Sequence, residues 1–276
     1  MKVIASDERT AVISKVIELL DPGSFMEMGE HVSARFTEFY HPDSVKESDG
    51  VVTGYGTING NLVFVYAQDN EVMGGTFGEQ HGRKIVDLYE HAIKANAPVI
   101  GLLDCAGLRL QEATDALNAF GEIYMKQTLA SGVIPQITAI FGTCGGGLAL
   151  FPTMTDFTFM EGKSAKLFVN APNALDGNNT SKCDSSAAKF QAEEAGIVDV
   201  VAEEADVLVM LRLENSERAI AELTIRDKGT VFRAEDTQAD LIDAFDNAFD
   251  TVIRKIRKQK TKLSKRVIYQ CFFKSS

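Results

Sequence analysis

The fold is decided by residues 131–160, SGVIPQITAIFGTCGGGLALFPTMTDFTFM. The run Ile134–Gly142 is apolar almost throughout, which predicts a strand that is buried on both faces. A cluster of glycines follows it and leads into Leu148–Met154, where we predict a helix, and Asp156–Met160 predicts a second short strand. A buried strand, a tight turn, a helix and another buried strand is the order of two parallel strands joined by a helical crossover.

The same alternation continues on the N-terminal side of this stretch. Gly78–Ala95 and Leu110–Ser131 have helical spacing of apolar residues, and between them the apolar run Pro98–Asp104 predicts another buried strand. Because helices alternate with continuous apolar strands, we predict an α/β protein with a largely parallel sheet.

Two further elements precede this alternation. Residues 51–69 read as two strands joined at Asn59-Gly60, and an Asn-Gly pair between alternating runs is the strongest short signal for a β-hairpin. The helical spacing of the apolar residues in Arg9–Leu20 predicts an N-terminal helix, which the turn at Asp21–Ser24 ends.

The C-terminal part follows a weaker pattern. Before a linker at Asp227–Thr230 we predict a helix, a strand and a second helix, over Ser186–Gly196, Ile197–Ala202 and Asp206–Leu223. A separate amphipathic helix is predicted over Asp240–Lys258. The predicted domains are therefore residues 1–226 and a helical, basic extension over residues 227–276.

Composition and charge exclude several classes of protein. The 276 residues carry a formal net charge of −11, which argues against general binding of nucleic acid. No apolar run approaches the roughly 20 residues of a membrane-spanning helix. The N-terminus lacks the apolar core of a signal peptide, so we expect a cytoplasmic protein. From Arg254 onward the chain has nine Lys or Arg and no Asp or Glu, which indicates either a solvated helix end or docking on an acidic partner.

The cysteines and histidines predict no protein-bound metal. Neither set has the CxxC or HExxH spacing of a zinc site, and the cysteines lie too far apart to suggest a disulfide framework. We expect structural roles for these side chains, which are Cys105, Cys144, Cys183, Cys271, His31, His41, His81 and His91.

The glycine turn at Gly142–Leu148 is the first candidate for chemistry. Glycines let the backbone turn sharply and let a ligand approach the main chain, and unpaired N–H groups at the start of a helix attract negative charge. A pair of such amides can hold the developing enolate oxygen of a thioester, which is the arrangement of an oxyanion hole. The alternative is a turn that serves packing alone.

Two further loops follow predicted strands. In Asp104–Glu112 two small residues come after a buried strand, and the carboxyl ends of parallel strands are where such sheets bind ligands. Arg109 in this loop pairs either with a ligand phosphate or with a neighbouring carboxylate such as Glu112. The third loop, Phe168–Gly177, is polar and rich in turn residues, and it either walls a ligand pocket or is a plain surface turn.

Five segments of the sequence resemble one family of enzymes, in order and with plausible spacing. They are DPGSFMEMG (21–29), DGVVTGYGTINGNLVFVYAQD (49–69), APVIGLLDCAGLRLQE (97–112), the stretch 131–160 quoted above and KLFVNAPNAL (166–175). Together they cover roughly residues 6–210 and resemble the biotin-dependent carboxyltransferases. That family includes subunits of acetyl-CoA and propionyl-CoA carboxylases and related decarboxylases. The resemblance implies a crotonase-like (ClpP/crotonase) superhelix of ββα units that binds acyl-CoA.

The resemblance also implies a mechanism. In this family carboxybiotin, carried on a partner protein, releases CO2, and the freed ureido group of biotin removes the α-proton of the acyl group. The resulting enolate attacks CO2. By position, Gly146 and Gly147 match the oxyanion glycines, and Ala106 and Gly107 match the loop beside the thioester. The substrate contacts expected on the three loops and the N-terminal helix are Arg9, Ala106, Gly107, Arg109, Gly145, Asn170 and Ala171.

Three departures from the family's pattern bear on the site. The family has Gly-Pro-Cys-Ala-Gly-Gly where this chain has Thr143 and Gly145, a change that leaves the backbone role intact. The zinc ribbon that precedes this domain in the split bacterial acetyl-CoA carboxylase subunit has no counterpart. A second crotonase-like domain is needed for the biotin side, and the roughly fifty residues after residue 226 are too few for one. Either a separate subunit supplies it, or the chain is truncated or changes reading frame.

These observations predict a carboxyltransferase component of a biotin-dependent acyl-CoA carboxylase that acts on acetyl- or propionyl-CoA, with fatty acid biosynthesis as the expected process. The expected partners are a biotin carboxyl carrier protein, a second carboxyltransferase domain or subunit, and further copies in an oligomer. Three alternatives stay open, namely a biotin-dependent decarboxylase subunit, a crotonase-type hydratase or isomerase, and a non-catalytic CoA-binding subunit. The hydratase requires an acidic residue beside the acyl α-carbon, for which the third loop offers only Asp176.

Overall fold

The computed structural model describes residues 11–39, 48–171, 183–202, 206–215, 218–227 and 230–238, together with eight residues between 243 and 255. The chain divides into two compact units, Met1–Glu203 and Glu204–Ser276. None of the helices in the described ranges has the length and apolarity that a bilayer crossing requires.

The first unit contains ten strands and four α helices within the described ranges. The strands are β1 (Met26–Met28), β2 (Val51–Ile58), β3 (Asn61–Gln68), β4 (Thr76–Phe77), β5 (Val99–Cys105), β6 (Gly107–Leu108), β7 (Gln136–Gly145), β8 (Phe157–Glu161), β9 (Lys166–Phe168) and β10 (Val200–Ala202). The helices are α1 (Ala11–Leu19), α2 (Glu79–Ala95), α3 (Ala113–Ala130) and α4 (Ala188–Glu193), and short 3₁₀ helices cover Met73–Gly75, Leu110–Glu112, Gly146–Leu150 and Pro152–Met154. The elements predicted up to residue 202 are thus present, with ends that differ by a few residues.

Most of these strands form one mixed sheet in the order β1-β2-β3-β5-β7-β8-β10. The first three strands are antiparallel, and every neighbouring pair from β3 onward is parallel. Strand β7 changes its neighbour along its length, because Ile137–Ile140 pairs with β8 whereas Thr143–Gly145 pairs with β9. A separate ribbon joins β4 to β6. The carboxyl ends of β5 and β7 therefore lie side by side, and each continues into a loop that contains glycine.

The predicted hairpin is confirmed at the turn between β2 and β3. Asn59 and Gly60 have φ angles of 51° and 80°, as the two central residues of a type I′ turn require. The carboxylate of Asp21 accepts hydrogen bonds from the N–H groups of Asn59 (2.9 Å) and Gly60 (2.8 Å). Because Asp21 follows α1, this contact ties the end of the helix to the tip of the hairpin.

Aromatic side chains fill the core beside the glycine turn. The rings of Phe77 and Phe120 stack with centroids 4.1 Å apart, and Phe151 meets both of them edge-on. Tyr124, one turn after Phe120 on α3, stacks parallel to the Phe120 ring. These rings join α3 to the segment that follows the glycine turn, and burying each of them stabilises the fold by roughly 1.5–3 kcal/mol.

The second unit contains a three-stranded antiparallel sheet, β11 (Asp206–Asn215), β12 (Arg218–Asp227) and β13 (Thr230–Gln238). The helix predicted over Asp206–Leu223 is therefore wrong. A short apolar run such as VLVML does not distinguish strand from helix by its spacing, and here the cross-strand ladder decides the structure. The structure divides the chain after Glu203, whereas the predicted boundary near residue 226 falls inside β12.

The helix predicted over Asp240–Lys258 is confirmed for those of its residues that the structure describes. These residues are helical, and Ala244, Ala248 and Val252 on one face are fully buried. Their spacing of four residues is that of a helix packed along one stripe.

Candidate functional site

The loops that follow β5 and β7 contact each other through their backbones. Cys105 pairs with Cys144 in the parallel ladder, two residues before Gly107 and Gly146 respectively. These two glycines have φ angles of 127° and 66°, which other residues rarely adopt. A Cβ atom added to Gly146 would lie 3.8 Å from the Cα atom of Gly107, and one added to Gly107 would lie 3.5 Å from the carbonyl oxygen of Gly145. The first two candidate loops therefore lie against each other.

Gly145 lets the two loops approach closely. A Cβ atom at this position would lie 2.8 Å from the carbonyl oxygen of Ala106, closer than such atoms pack. The N–H group of Ala106 donates to the carbonyl oxygen of Gly75 (2.7 Å) and is thus engaged. The N–H group of Ala106 is therefore not available as a donor to a ligand.

A 3₁₀ helix begins at Gly146 and runs to Leu150. The first N–H groups of a helix have no carbonyl partner within that helix, so the amides of Gly146 and Gly147 lie where such groups occur. Amides of this kind can donate to an oxygen that gains negative charge during a reaction. A backbone donor pair of this kind requires no side chain.

Asp104, the next-to-last residue of β5, holds the start of the glycine turn. Its Oδ1 atom accepts a hydrogen bond from the N–H group of Thr143 (3.0 Å), and its Oδ2 atom accepts one from Nδ2 of Asn70 (2.6 Å). Desolvation raises the pKa of Asp104, while the bond from Thr143 and the charge of Lys15 oppose that rise. The sequence analysis missed Asp104, although Gly142, which faces the carboxylate, was a usable signal.

Tyr124 on α3 contacts the other end of the turn. Its hydroxyl group donates to the carbonyl oxygen of Gly147 (2.5 Å). Burial raises the pKa of Tyr124, which keeps the phenol protonated as a donor. This residue was also missed, because a tyrosine within an amphipathic helix reads as a core residue.

The two cysteines at the strand ends support the same loops from inside. The thiol of Cys144 contacts the carbonyl oxygen of Leu148 (3.5 Å), and the thiol of Cys105 contacts that of Gly107 (3.7 Å). Burial raises the pKa of Cys105 to about 11 and the pKa of Cys144 well above its usual value. Both side chains are therefore neutral thiols with the structural role expected of them.

Arg109 is not placed to bind substrate, which corrects its assignment as a substrate contact. Its side chain is 1% exposed and forms ion pairs with Asp49 and Glu112 (2.9 Å to the latter). Its Nε and Nη2 atoms donate to the hydroxyl group (3.1 Å) and the carbonyl oxygen (2.7 Å) of Thr76. Of the two partners considered for Arg109, a neighbouring carboxylate is the one that the structure contains.

The third loop begins beside the glycine turn. Strand β9 pairs with Thr143–Gly145, and Asn170 and Ala171 follow two to three residues after that strand, exposed and half-buried respectively. The rest of this loop, including Asp176, lies outside the described residues, as does Arg9 before α1. The structure thus brings Asn170 and Ala171 towards the edge where the other two loops meet.

A small hollow adjoins Asp104 at the carboxyl ends of β3, β5 and β7. Helix α1 contributes Val12 and Lys15 to its wall, and the Lys15 ammonium group lies 5.4 Å from the centre of the Phe141 ring. Across the described ranges, no group of three His, Cys, Asp or Glu side chains is arranged to hold a metal ion.

Comparison with known sequences places most of the chain in one family. The sequence model of the carboxyl transferase domain matches residues 4–216. A propionyl-CoA carboxylase beta chain of Roseobacter denitrificans is 46% identical over 157 residues, covering 57% of this chain and 31% of the relative. A methylmalonyl-CoA decarboxylase subunit alpha of Veillonella parvula is 39% identical over 195 residues, covering 70% of this chain and 38% of the relative. The chain thus spans about a third of the length of these relatives.

The C-terminal part matches a different family. The model of the Sigma 54 modulation protein / S30EA ribosomal protein family matches residues 178–264, which overlaps the end of the first match and includes β11 to β13.

Among solved structures, the transcarboxylase 12S crystal structure with hydrolysed methylmalonyl-coenzyme A has a TM-score of 0.67 and 26% identity, covering 82% of this chain and 56% of that one. The predicted crotonase-like α/β fold is thereby confirmed. With the family model matched over residues 4–216, the chain belongs to the carboxyl transferase domain family, that of the biotin-dependent acyl-CoA carboxyltransferases.

Proposed function

We propose that the first unit is the acyl-CoA-binding half of a carboxyltransferase, which transfers a carboxyl group between carboxybiotin and a short acyl-CoA. The observation that carries this proposal is the backbone contact between the Gly107 and Gly146 loops at the ends of two parallel strands. Ligands of open α/β sheets bind at the carboxyl ends of the strands, and this is where both loops lie.

The chain's own groups would act on the thioester of the substrate. The N–H groups of Gly146 and Gly147 would donate to the thioester oxygen as it gains charge. Gly107 and Gly145 would contribute by letting the two loops lie close together, because they carry no side chain. Ala106 would shape the wall on the opposite side. Carboxybiotin, brought by a partner, supplies the CO2 and the base in this family.

The substrate we propose is propionyl-CoA, with acetyl-CoA as the alternative. The choice is supported by the names of several relatives, including a propionyl-CoA carboxylase beta chain that is 46% identical over the matched residues. Asn170 and Ala171 would wall the acyl end of the site, and Arg9 would lie near the phosphates of coenzyme A. A biotin carboxyl carrier protein and a second carboxyltransferase domain would complete the enzyme, as an oligomer in the cytoplasm.

The alternatives differ in what the site must contain. A biotin-dependent decarboxylase would use the same groups in the opposite direction, and the methylmalonyl-CoA decarboxylase subunit alpha among the relatives supports it. A hydratase or isomerase needs a free carboxylate at the acyl α-carbon, whereas Asp104 beside the turn is engaged by Thr143 and Asn70. A non-catalytic subunit would bind CoA without turnover when its partners are supplied.

Calorimetry with acetyl-, propionyl- and malonyl-CoA tests the proposal. The purified full chain should bind propionyl-CoA, and Gly146→Val should weaken that binding more than tenfold, which corresponds to about 1.4 kcal/mol. The larger side chain would fill the gap between the two loops.

Gly132→Val is the matched control, because Gly132 has a φ of 72° and a Cβ atom there meets nothing within 4 Å. It carries the same backbone strain at a turn after α3, away from the proposed site. If Gly132→Val weakened binding as much as Gly146→Val, strain rather than a blocked site would be the cause. A folded wild-type chain that bound none of the three thioesters would contradict the proposed function.

A second candidate function belongs to the second unit. We propose that residues 204–276 mediate association with the ribosome, which is supported by the S30EA ribosomal protein match and by the nine Lys or Arg from Arg254 onward. Clustered basic side chains favour binding to the phosphates of RNA, even in a chain of negative net charge.

Co-sedimentation with purified 70S ribosomes tests this second function. The full chain should pellet with ribosomes at low salt and be released as salt is raised, whereas a chain that ends at Glu203 should stay in the supernatant. Equal pelleting of both chains would contradict the assignment to the second unit.

A further inference from the structure

Side chains from two other elements hold the glycine turn at both of its ends. Asp104 of β5 accepts a hydrogen bond from the N–H group of Thr143 (3.0 Å), where the turn begins. Tyr124 of α3 donates one to the carbonyl oxygen of Gly147 (2.5 Å), where the turn leads into the 3₁₀ helix. Between these two peptide groups lie Cys144 and Gly145, which pair with β9, and Gly146, whose φ of 66° favours glycine.

Asp104 is itself held through both its side chain and its backbone. Nδ2 of Asn70 donates to its carboxylate (2.6 Å), and its backbone N–H group donates to Oε1 of Gln68 (3.2 Å). Gly142 supplies the space that the carboxylate occupies, because a Cβ atom there would lie 2.2 Å from Oδ1 of Asp104. Gly142, at the start of the turn, therefore leaves the space that the aspartate of the neighbouring strand occupies.

We propose that Asp104 and Tyr124 are positioning residues of the acyl-CoA site. They fix the peptide groups on either side of Gly145–Gly146 and thereby aim the N–H groups of Gly146 and Gly147 at the thioester oxygen. Neither residue touches the reacting atoms. The inference rests on the proposed function of the first unit.

The infrared stretching frequency of the substrate carbonyl shows whether the amides of Gly146 and Gly147 donate hydrogen bonds to it. We would bind propionyl-CoA labelled with ¹³C at the thioester carbonyl to the full chain and record its infrared stretching frequency, which falls when hydrogen bonds polarise the carbonyl. In the wild type the frequency should fall below that of free propionyl-CoA. In Asp104→Ala, Gly142→Ala and Tyr124→Phe it should return towards the free value, and the affinity should drop roughly two- to tenfold, as for one hydrogen bond.

Asp156→Ala is the matched control for Asp104→Ala. Asp156 accepts a hydrogen bond from the N–H group of Gln136 (2.7 Å) at the opposite end of the same strand, β7, and its pKa is likewise raised by desolvation. Its loss should lower the stability without moving the carbonyl frequency. Asp104→Asn should keep part of the fall in carbonyl frequency that Asp104→Ala loses, since the amide oxygen can still accept the hydrogen bond from the N–H group of Thr143.

A double-mutant cycle separates positioning from general damage. Gly142→Ala acts by displacing the Asp104 carboxylate, so it should have no further effect in the Asp104→Ala chain, where the space is free. Additive effects on the carbonyl frequency would overturn the idea that Gly142 serves Asp104. Tyr124→Phe removes one oxygen atom and keeps the ring stack, so it tests the other end of the turn in a folded chain.

Binding of the thioether S-propyl-CoA distinguishes failure of the positioning role from failure of the proposed function. This thioether has no carbonyl, so its affinity should be the same in the wild type and in all three variants. A wild-type carbonyl frequency in both Asp104→Ala and Tyr124→Phe would overturn the positioning role while leaving the proposed function intact. Failure of the wild type to bind either CoA compound would overturn the proposed function, and the positioning role with it.

Discussion

Asp49 and Arg109 form an ion pair that is sealed from solvent, although sixty residues separate them in sequence. The carboxylate of Asp49 also accepts a hydrogen bond from the N–H group of His81 (2.6 Å). Glu112 is the second partner of Arg109, and its carboxylate accepts a hydrogen bond from the N–H group of Glu79 (2.5 Å). Both carboxylates therefore cap the N-terminus of α2, which has no cap from Gly78.

We expect Arg109→Met to destabilise the protein by about 3–5 kcal/mol, because it leaves two buried carboxylates without their cation. Urea unfolding measures the loss. Arg83→Met is the matched control, since Arg83 pairs with Glu79 on the surface of α2 at 59% exposure. Such exposed pairs contribute less than about 1 kcal/mol. Similar losses in the two variants would contradict a structural role for Arg109.

The imidazole of His81 makes stability depend on pH. Burial first, and the charge of Arg109 second, lower the pKa of His81 from 6.5 to about 3, while the bond to Asp49 opposes them. Between these values the unfolded chain binds a proton that the folded chain does not. The contribution of His81 to the free energy of unfolding is therefore complete above pH 6.5 and is lost as the pH falls towards 3.

His81→Gln should flatten this dependence, by up to about 1.4 kcal/mol per pH unit in that window. Urea unfolding at a series of pH values measures the slope. Only the difference between variants is assigned to His81, because burial also raises the pKa of Asp49 and lowers the pKa of Lys84 beside it. His91→Gln, at an exposed position on the same helix, should keep the wild-type slope. A wild-type slope in His81→Gln would show that other groups set the dependence.

The thiols should differ in reactivity. Cys183 is exposed, whereas Cys105 and Cys144 are buried and have raised pKa values. In a Cys271→Ser chain at pH 8, a disulfide reagent such as DTNB should modify Cys183 alone, because only thiolates that solvent can reach react. Mass spectrometry of tryptic peptides identifies the modified residue. Equal modification of Cys144 in the native protein would mean that the glycine turn opens readily.

The sequence was sufficient for the fold of the first unit because its signals are local. Buried strands such as Val99–Cys105 are continuous apolar runs, and the hairpin is marked by Asn59-Gly60. It was not sufficient for Asp206–Leu223, where the spacing of the apolar run VLVML fits a strand and a helix equally well. The pairing of β11 with β12 is a tertiary property, and it overrides spacing.

The site was partly predictable for the same reason. The glycine turn and the Gly107 loop have local signatures, and the parallel topology brings them together. The partner of a single side chain can lie far away in sequence. Arg109 was assigned to substrate because its partner Asp49 lies sixty residues earlier and gives no local signal. Asp104 and Tyr124 were missed because their role depends on atoms of a third element.

The two site loops meet through main-chain atoms on both sides, and this affects how the site can be found by mutation. Replacing Thr143 or Cys144 by alanine removes no N–H group from the face where Gly107 approaches Gly146. An alanine scan of this region would therefore detect packing losses and would not detect the proposed backbone donors. Replacing the peptide bond before Gly146 by an ester, through semisynthesis, deletes one donor and leaves every side chain in place.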